Sequence, residues 1–163
     1  MKNSPRGYGN TMQGKFKPKH PEKYKGDPTE IIFRSSYEFK LFRTLDADPK
    51  VLQWGSEEMA LWYISPADGQ AHRYFPDIVV KFINEHGKVV TQMIEVKPAA
   101  QCEPPKPGLK GTNDKRYLQE VITFGINQAK WAAAREYCAK RGWEFKVFTE
   151  KELKIPINKK KKG

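Results

Sequence analysis

The segments Arg73–Ile83 and Lys88–Lys97, joined only by the turn Asn84–Gly87, constrain this chain more than any other feature. A turn that short forces its flanking strands to be antiparallel neighbours in one sheet. In the first segment Ile78, Val80 and Phe82 alternate with other residues, and in the second Ile94 and Val96 do the same. That period of two turns those side chains toward a core and puts Glu95 and Lys97 together on the opposite face. Asp77 follows Pro76 early in the first strand, 18 residues before Glu95. The hairpin therefore gathers two carboxylates and a lysine.

The remaining elements surround that hairpin. Tyr37, Leu41 and Leu45 recur at helical spacing beside Phe42, which predicts an amphipathic helix closed by Pro49. Val51–Glu58 and Ala60–Ile64 read as strands, and Ser65–Gly69 (SPADG) as a turn. Strands so closely spaced suggest an antiparallel meander. The proline-rich stretch Ala99–Thr112 is a loop. A helical region opens at Asn113 and runs to about Lys140, with an interruption expected at Gly125 and a stop at Gly142. Glu144–Phe148 is a further strand, and Thr149 caps a last helical turn over Glu150–Leu153. The order predicts an α/β (α+β) fold, one central mixed sheet flanked by helices. The four tryptophans read as core or near-core residues.

Charge is distributed unevenly. Residues 1–26 carry seven Lys or Arg and one acid, residues 154–163 carry five Lys, and the stretch between holds 18 of each sign. Basic ends on a neutral body suit a polyanion held through phosphate contacts. The candidate DNA contacts in these ends are Lys15, Lys17, Lys19, Lys23 and Lys25, and Lys159, Lys160, Lys161 and Lys162. We expect a basic, mostly disordered arm over residues 1–28, a folded domain over 29–155 and a basic tail over 156–163. Phe16 and Tyr24, set among lysines, either stack on bases or pin the arm to the core. No apolar run is long enough to span a membrane, and the basic start lacks the apolar core of a secretory signal. Cys102 and Cys138 form no zinc-type cluster.

Asp77 and Glu95 at adjacent strand positions form a site for a hard dication, with the Val96 backbone carbonyl as a third ligand. Mg²⁺ prefers one or two carboxylates and keeps several waters, and Mn²⁺ can substitute. Lys97, on the same face, can meet a phosphate or a water. The plain alternative is a solvated strand face bearing a weak ion pair. Glu38 has two roles open to it. Ser35-Ser36-Tyr37-Glu38 is a capping-box pattern, in which the glutamate bonds back to the helix start.

A helix glutamate, then PD, then (D/E)xK resembles the motif of the restriction-endonuclease-like superfamily. RSSYEFKLFRTLDADPKVLQW, HRYFPDIVV, IEVKP and NQAKWAAAREYCAKRGWEFKVFTEKEL resemble the TnsA transposon endonuclease. With KFKPKHPEKYKGD and SPADG they resemble the head completion nucleases of large tailed phages still more closely, from Lys15 to Leu153. The resemblance implies a restriction-endonuclease-like core and Mg²⁺-dependent cleavage of double-stranded DNA. It implies Glu38, Asp77 and Glu95 as acidic metal-site residues, Glu38 through a second metal or a water, and Lys97 as the catalytic lysine. Gln128 and Lys130, on the helix after the sheet, stand where relatives often place phosphate-contacting groups; the plain alternative for both is an ordinary solvent-facing helix side. The implied setting is the host cytoplasm during phage assembly, with association with the virion and phage capsid or neck proteins as partners. A non-catalytic DNA-binding head–tail joining protein and a transposition or junction-resolving endonuclease of the same fold are the alternatives.

Overall fold

The computed structural model describes residues 12–154. In chain order the elements are β1 (Gly14–Lys15), β2 (Ile32–Phe33), α1 (Ser36–Ala47), β3 (Val51–Ser56), β4 (Leu61–Ile64) and β5 (Ala71–Tyr74). They continue with β6 (Ile78–Ile83), β7 (Val89–Val96), α2 (Lys115–Arg141), β8 (Glu144–Phe148) and α3 (Glu150–Leu153). The central sheet has the order β3-β6-β7-β8. β6 is antiparallel to β3 and β7, whereas β8 runs parallel to β7. A parallel neighbour requires a crossover connection, and α2 supplies it. The result is the mixed sheet flanked by helices expected of a restriction-endonuclease-like fold.

Each face of the sheet has its own core. On the α1 side, Ile78, Val80, Ile94 and Val96 pack with Leu41, Phe42, Leu45 and the fully buried Trp54. On the α2 side, Met93 packs with Leu61, Tyr74, Ala134 and Cys138. The alternation expected for the hairpin strands therefore holds, but the face bearing Glu95 is covered by α2 rather than open to water.

Five expectations are corrected. Arg73–Ile83 is not one strand: it breaks at Phe75–Asp77 into β5 and β6, which belong to different sheets. Pro76 has no N–H to give to a ladder and is fully buried at the break. The strands thus form no simple meander, because β4 and β5 pair with each other as a separate hairpin. Gly125 does not interrupt α2, which is continuous; a Cβ there would meet only Pro66 at 3.7 Å, so the glycine sits at an ordinary helix–turn contact. Trp62 is 65% exposed, on the outer face of the β4–β5 hairpin with the Arg73 guanidinium over its ring.

The fifth correction concerns the basic arm. Residues 12–28 lie on the folded body. Phe16 is buried edge-on to Phe39, Phe42 and Trp54, and Tyr24 stands edge-on to Trp54. The backbone N–H groups of Lys19 and His20 both donate to the buried Asp46 carboxylate, at 2.8 and 2.9 Å. The aromatics in this segment bury enough apolar surface to overcome its polar composition. Residues 1–11 and 155–163, including Lys159, Lys160, Lys161 and Lys162, lie outside the described residues. Among the described residues no helix is long and apolar enough to cross a membrane.

Because Phe16 joins the α1-side core, Phe16→Ala should destabilise the fold by about 3–5 kcal/mol, the usual cost of emptying a buried aromatic site. Urea unfolding followed by tryptophan fluorescence measures this. A wild-type midpoint would mean that the segment adds nothing to the core.

Candidate active site

The register fixes the site. Ile78 pairs with Ile94 and with Ser56, so one step further along the strands Asp77 lies opposite Glu95 on one side and Glu57 on the other. Val96 N–H donates to Asp77 Oδ2 at 2.8 Å, and Glu57 N–H donates to the Asp77 carbonyl at 3.3 Å. Glu95 alternates with Met93 and so turns to the α2 side. Its carboxylate accepts a hydrogen bond from the buried Tyr74 hydroxyl. Lys97 Nζ stands 3.7 Å from Glu95 Oε1, with the two side chains only 12% and 9% exposed. That burial removes the reading of a solvated surface pair. Lys97 N–H donates to the Phe148 carbonyl at 2.9 Å, which fixes its backbone to β8.

Glu38 joins from the start of α1. Ser35 is the N-cap, and its hydroxyl accepts the Glu38 N–H at 3.1 Å. Glu38 Oε2 accepts the Arg34 N–H at 3.1 Å, one residue before the cap. This is half of a capping box with its glutamate arm displaced. At the same time its charge acts on both Asp77 and Glu95, so the helix-start role and a place beside the acids coexist.

Burial is the largest cause that lifts each of the three carboxyls above its ordinary range. For Asp77 the neighbouring charges of Glu95 and Glu38 add to it, and the Val96 N–H and Lys97 oppose it. For Glu95 the opposing groups are Lys97, the Tyr74 hydroxyl, Lys130 and Trp131. The Trp131 indole N–H is buried and has no well-formed hydrogen bond, so it favours the Glu95 charge only by proximity. For Glu38, Arg34 opposes the burial, and Glu57 and Glu95 reinforce it. Like charges facing each other on adjacent strands are destabilising unless something neutralises them.

Such a cluster suits a hard dication. Among the described residues no three His, Cys, Asp or Glu side chains close on one point. Two carboxylates completed by a carbonyl and waters match the coordination habit of Mg²⁺.

Lys130 lies on the buried side of α2, with its Nζ 5.7 Å from the ring centroids of both Tyr63 and Tyr74. Burial lowers its pKa, while the charges of Glu95 and Asp77 pull it back up. The structure thus brings Lys130 to the acids, whereas Gln128, two residues earlier on the helix and half-buried, faces a different side. The lysines of the N-terminal segment are dispersed. Lys23 Nζ donates to the carbonyls of Asp46 and Asp48 at 3.0 and 2.7 Å, which makes it a cap for the end of α1 rather than a free DNA contact. Lys15 pairs with Glu30 at 3.2 Å. Lys17 and Lys19 line a groove with Lys40 and Arg43. That groove lies across α1 from Glu38, because Glu38 shares the helix face of Leu41, Phe42 and Leu45. Lys25 is exposed beside Gly55.

Four residues at the site escape a sequence reading. Tyr74 and Trp131 look like ordinary core aromatics. Arg34 and Glu57 form an ion pair at 2.6 Å, with both side chains about a quarter exposed at 22% and 26%. Glu57 also holds a left-handed backbone, φ 54°. No motif marks any of the four; the one visible signal is that Glu57 follows the last strand residue opposite the PD segment.

The raised carboxyls make a stability prediction. Asp77 and Glu95 have folded-state pKa values above their ordinary 3.8 and 4.5. Their protonated forms therefore favour the fold. That contribution is complete below the ordinary values and is lost as pH rises through the raised ones. The metal-free protein should melt at a progressively lower temperature as pH increases above about 4.5. Asp77→Asn keeps an oxygen for the Val96 N–H, and it should raise the metal-free melting temperature at neutral pH and flatten the pH slope. Equal slopes for both proteins in EDTA would contradict the mutual repulsion.

Residues 48–150 match the family model described as TnsA-like endonuclease N terminal. The chain is also 39% identical over 143 residues to the head completion nuclease of Enterobacteria phage T4, covering 86% of this chain and 93% of the relative.

Proposed function

This chain belongs to the TnsA-like endonuclease family, and from that premise we propose that it hydrolyses DNA phosphodiester bonds with a divalent cation held by Asp77 and Glu95. The observation that carries the reading is the single cross-strand position shared by these two carboxylates, with Lys97 against Glu95. The Val96 carbonyl completes the proposed ligand set, and Glu38 acts through a water or a second ion. Mg²⁺, or Mn²⁺ in its place, would neutralise a phosphate oxygen and lower the pKa of a bound water.

The protein groups have separable tasks. Asp77 is anchored through one oxygen by the Val96 N–H, and its other oxygen is the one for the ion. Tyr74 holds the Glu95 carboxylate in one orientation. Lys97 is placed to donate to the attacking water or to the phosphate oxygen as charge builds in the transition state. Lys130, held between two tyrosine rings, adds a second cation for the phosphate. Arg34 holds Glu38 by its N–H and favours its charged form. The substrate is double-stranded DNA, with Lys17, Lys19 and Lys25 as exposed candidates for backbone contacts away from the reacting bond. The name of the phage relative supports a role in head completion, in which packaged DNA is processed before heads join tails, with capsid or neck proteins as partners.

Supercoiled plasmid nicking tests the reading. Cutting should require Mg²⁺ or Mn²⁺ and stop in EDTA; undiminished cutting in EDTA would remove the metal from the mechanism. Lys97→Ala should lose roughly 100-fold or more in single-turnover rate, the scale of one transition-state donor, while calorimetry shows metal binding near wild type. Asp77→Asn should lose metal binding as well. Glu38→Gln retains an acceptor for the Arg34 N–H, so it should melt near wild type yet cut slowly; normal cutting would leave Glu38 as a helix-start residue only.

A further inference from the structure

The α2-side face of the sheet carries a cleft of about 210 Å³ beside the carboxylates. Along the strands, the next cross-strand pair on the same face as Glu57 and Asp77 is Gly55 and Val79. Gly55 and Val79 both line the cleft, Val79 with an apolar side chain. Met59, Trp143, Lys25 and Lys81 line it as well. The backbone is closely packed at Gly55: a Cβ there would lie 3.1 Å from the Lys25 carbonyl oxygen and 3.1 Å from Glu58 Cγ, so the glycine lets the Lys25 backbone and Glu58 come close to the sheet. The acids bordering the cleft are engaged. Glu57 pairs with Arg34 at 2.6 Å, and Glu58 accepts the Tyr24 hydroxyl at 2.6 Å. A ligand entering the cleft therefore meets a mainly apolar slot with an aromatic side, lined also by two lysines and by two acids that already have partners.

We propose that this cleft is a nucleobase subsite, taking the heterocycle of the nucleotide next to the bond that is cut. The proposal rests on the nuclease reading above. A flat heterocycle suits a slot with an aromatic side, where stacking tolerates any base. Lys25 and Lys81 suit the phosphate that the same nucleotide carries. Position adds a third argument. Asp77 and Val79 are one side-chain repeat apart along β6, about 6.7 Å, so a base on the sugar adjoining the reacting phosphate lies within reach. A base that enters must leave the duplex stack, as in other enzymes that read an extruded nucleotide. The cleft would hold the strand in register with Asp77 and select among scissile bonds by how readily the neighbouring base unstacks.

Abasic scanning of an end-labelled oligonucleotide duplex tests this with the full-length protein and Mg²⁺. One abasic residue is moved along the strand, and cutting is read at every bond. In the wild type, cutting at the bond adjoining the abasic position should fall roughly 5- to 100-fold, the scale of losing one stacked base. Val79→Phe fills the cleft, and Thr91→Phe, at a half-buried strand position lining the same cleft, narrows it should the first variant not fold. In a blocked variant the intact duplex should be cut more slowly, and the abasic residue should cause no further loss at its bond. An unchanged profile in the wild type overturns the subsite while leaving the nuclease reading intact. An abasic effect that persists in the folded blocked variant also overturns it, because the effect then belongs to the DNA alone. Absence of cutting on every duplex removes both.

Discussion

One hydrogen bond, from the Val96 N–H to the Asp77 carboxylate, governs the end of the sheet that bears the acids. Paired residues of β6 and β7 end at Ile78 and Ile94. Beyond them the chain before β6 turns away through the buried Pro76 toward β5, whereas β7 continues alongside β8. The two strands diverge, and the Asp77 side chain replaces the ladder contact that divergence removes. A buried N–H left without a partner would cost about 1–3 kcal/mol, so the carboxylate is held in place by the backbone it satisfies. Divergence also opens the space in which Asp77 and Glu95 can face a common ligand. Strand pairing carried one residue further would leave no such opening.

Crowding carboxylates at that opening works against folding. Three acids are lifted above their ordinary range, mainly by burial, and two lysines only partly offset them. The separate cores on the two sheet faces absorb this conflict. The aromatic cluster around Trp54 fixes α1 and therefore Glu38. The β4–β5 hairpin and α2 pack around Met93 and bring Tyr74, Lys130 and Trp131 to Glu95. Lys130 is held against two tyrosine rings, an arrangement that favours a cation while it remains partly desolvated. The hairpin thus has a function that strand order alone does not suggest: it delivers the aromatic groups that orient the acid and the second lysine.

The acids, the lysine and the strands that carry them were legible in the sequence because period two and one short turn fix their relative positions. The helices were legible from their spacing and their caps, down to Thr149, whose full capping box begins α3. The break at Pro76 was obscured by the strong strand character on both sides of it, although a proline inside a strand signal is itself a warning. The ordered N-terminal segment was obscured by composition. Its lysines suggest disorder, while the decisive groups are Phe16, Tyr24 and the pairing of two backbone N–H groups with the distant Asp46. Contacts of that kind, spanning 26 and 27 residues, leave no local pattern. The same is true of Tyr74, Trp131 and Arg34, whose roles follow from what the fold places opposite them.

Glu57 is where the local rules and the site disagree most openly. Its left-handed backbone is costly for a residue with a side chain, about 1–2 kcal/mol, and glycine would remove that cost. Glycine would also remove the Arg34 partner. Arg34 donates its N–H to Glu38 and its guanidinium to Glu57, while the Glu57 N–H reaches the Asp77 carbonyl. These contacts form a continuous path from the start of α1, across the end of β3, to the residue that opens β6. The distance between Glu38 and Asp77 is therefore set by hydrogen bonds rather than by packing alone. A side chain retained in a strained conformation, where glycine would be easier, fits a position whose contribution is to hold two acids in fixed relation. The strain at Glu57 and the repulsion among the acids have one origin: both follow from assembling charges at the point where two strands separate.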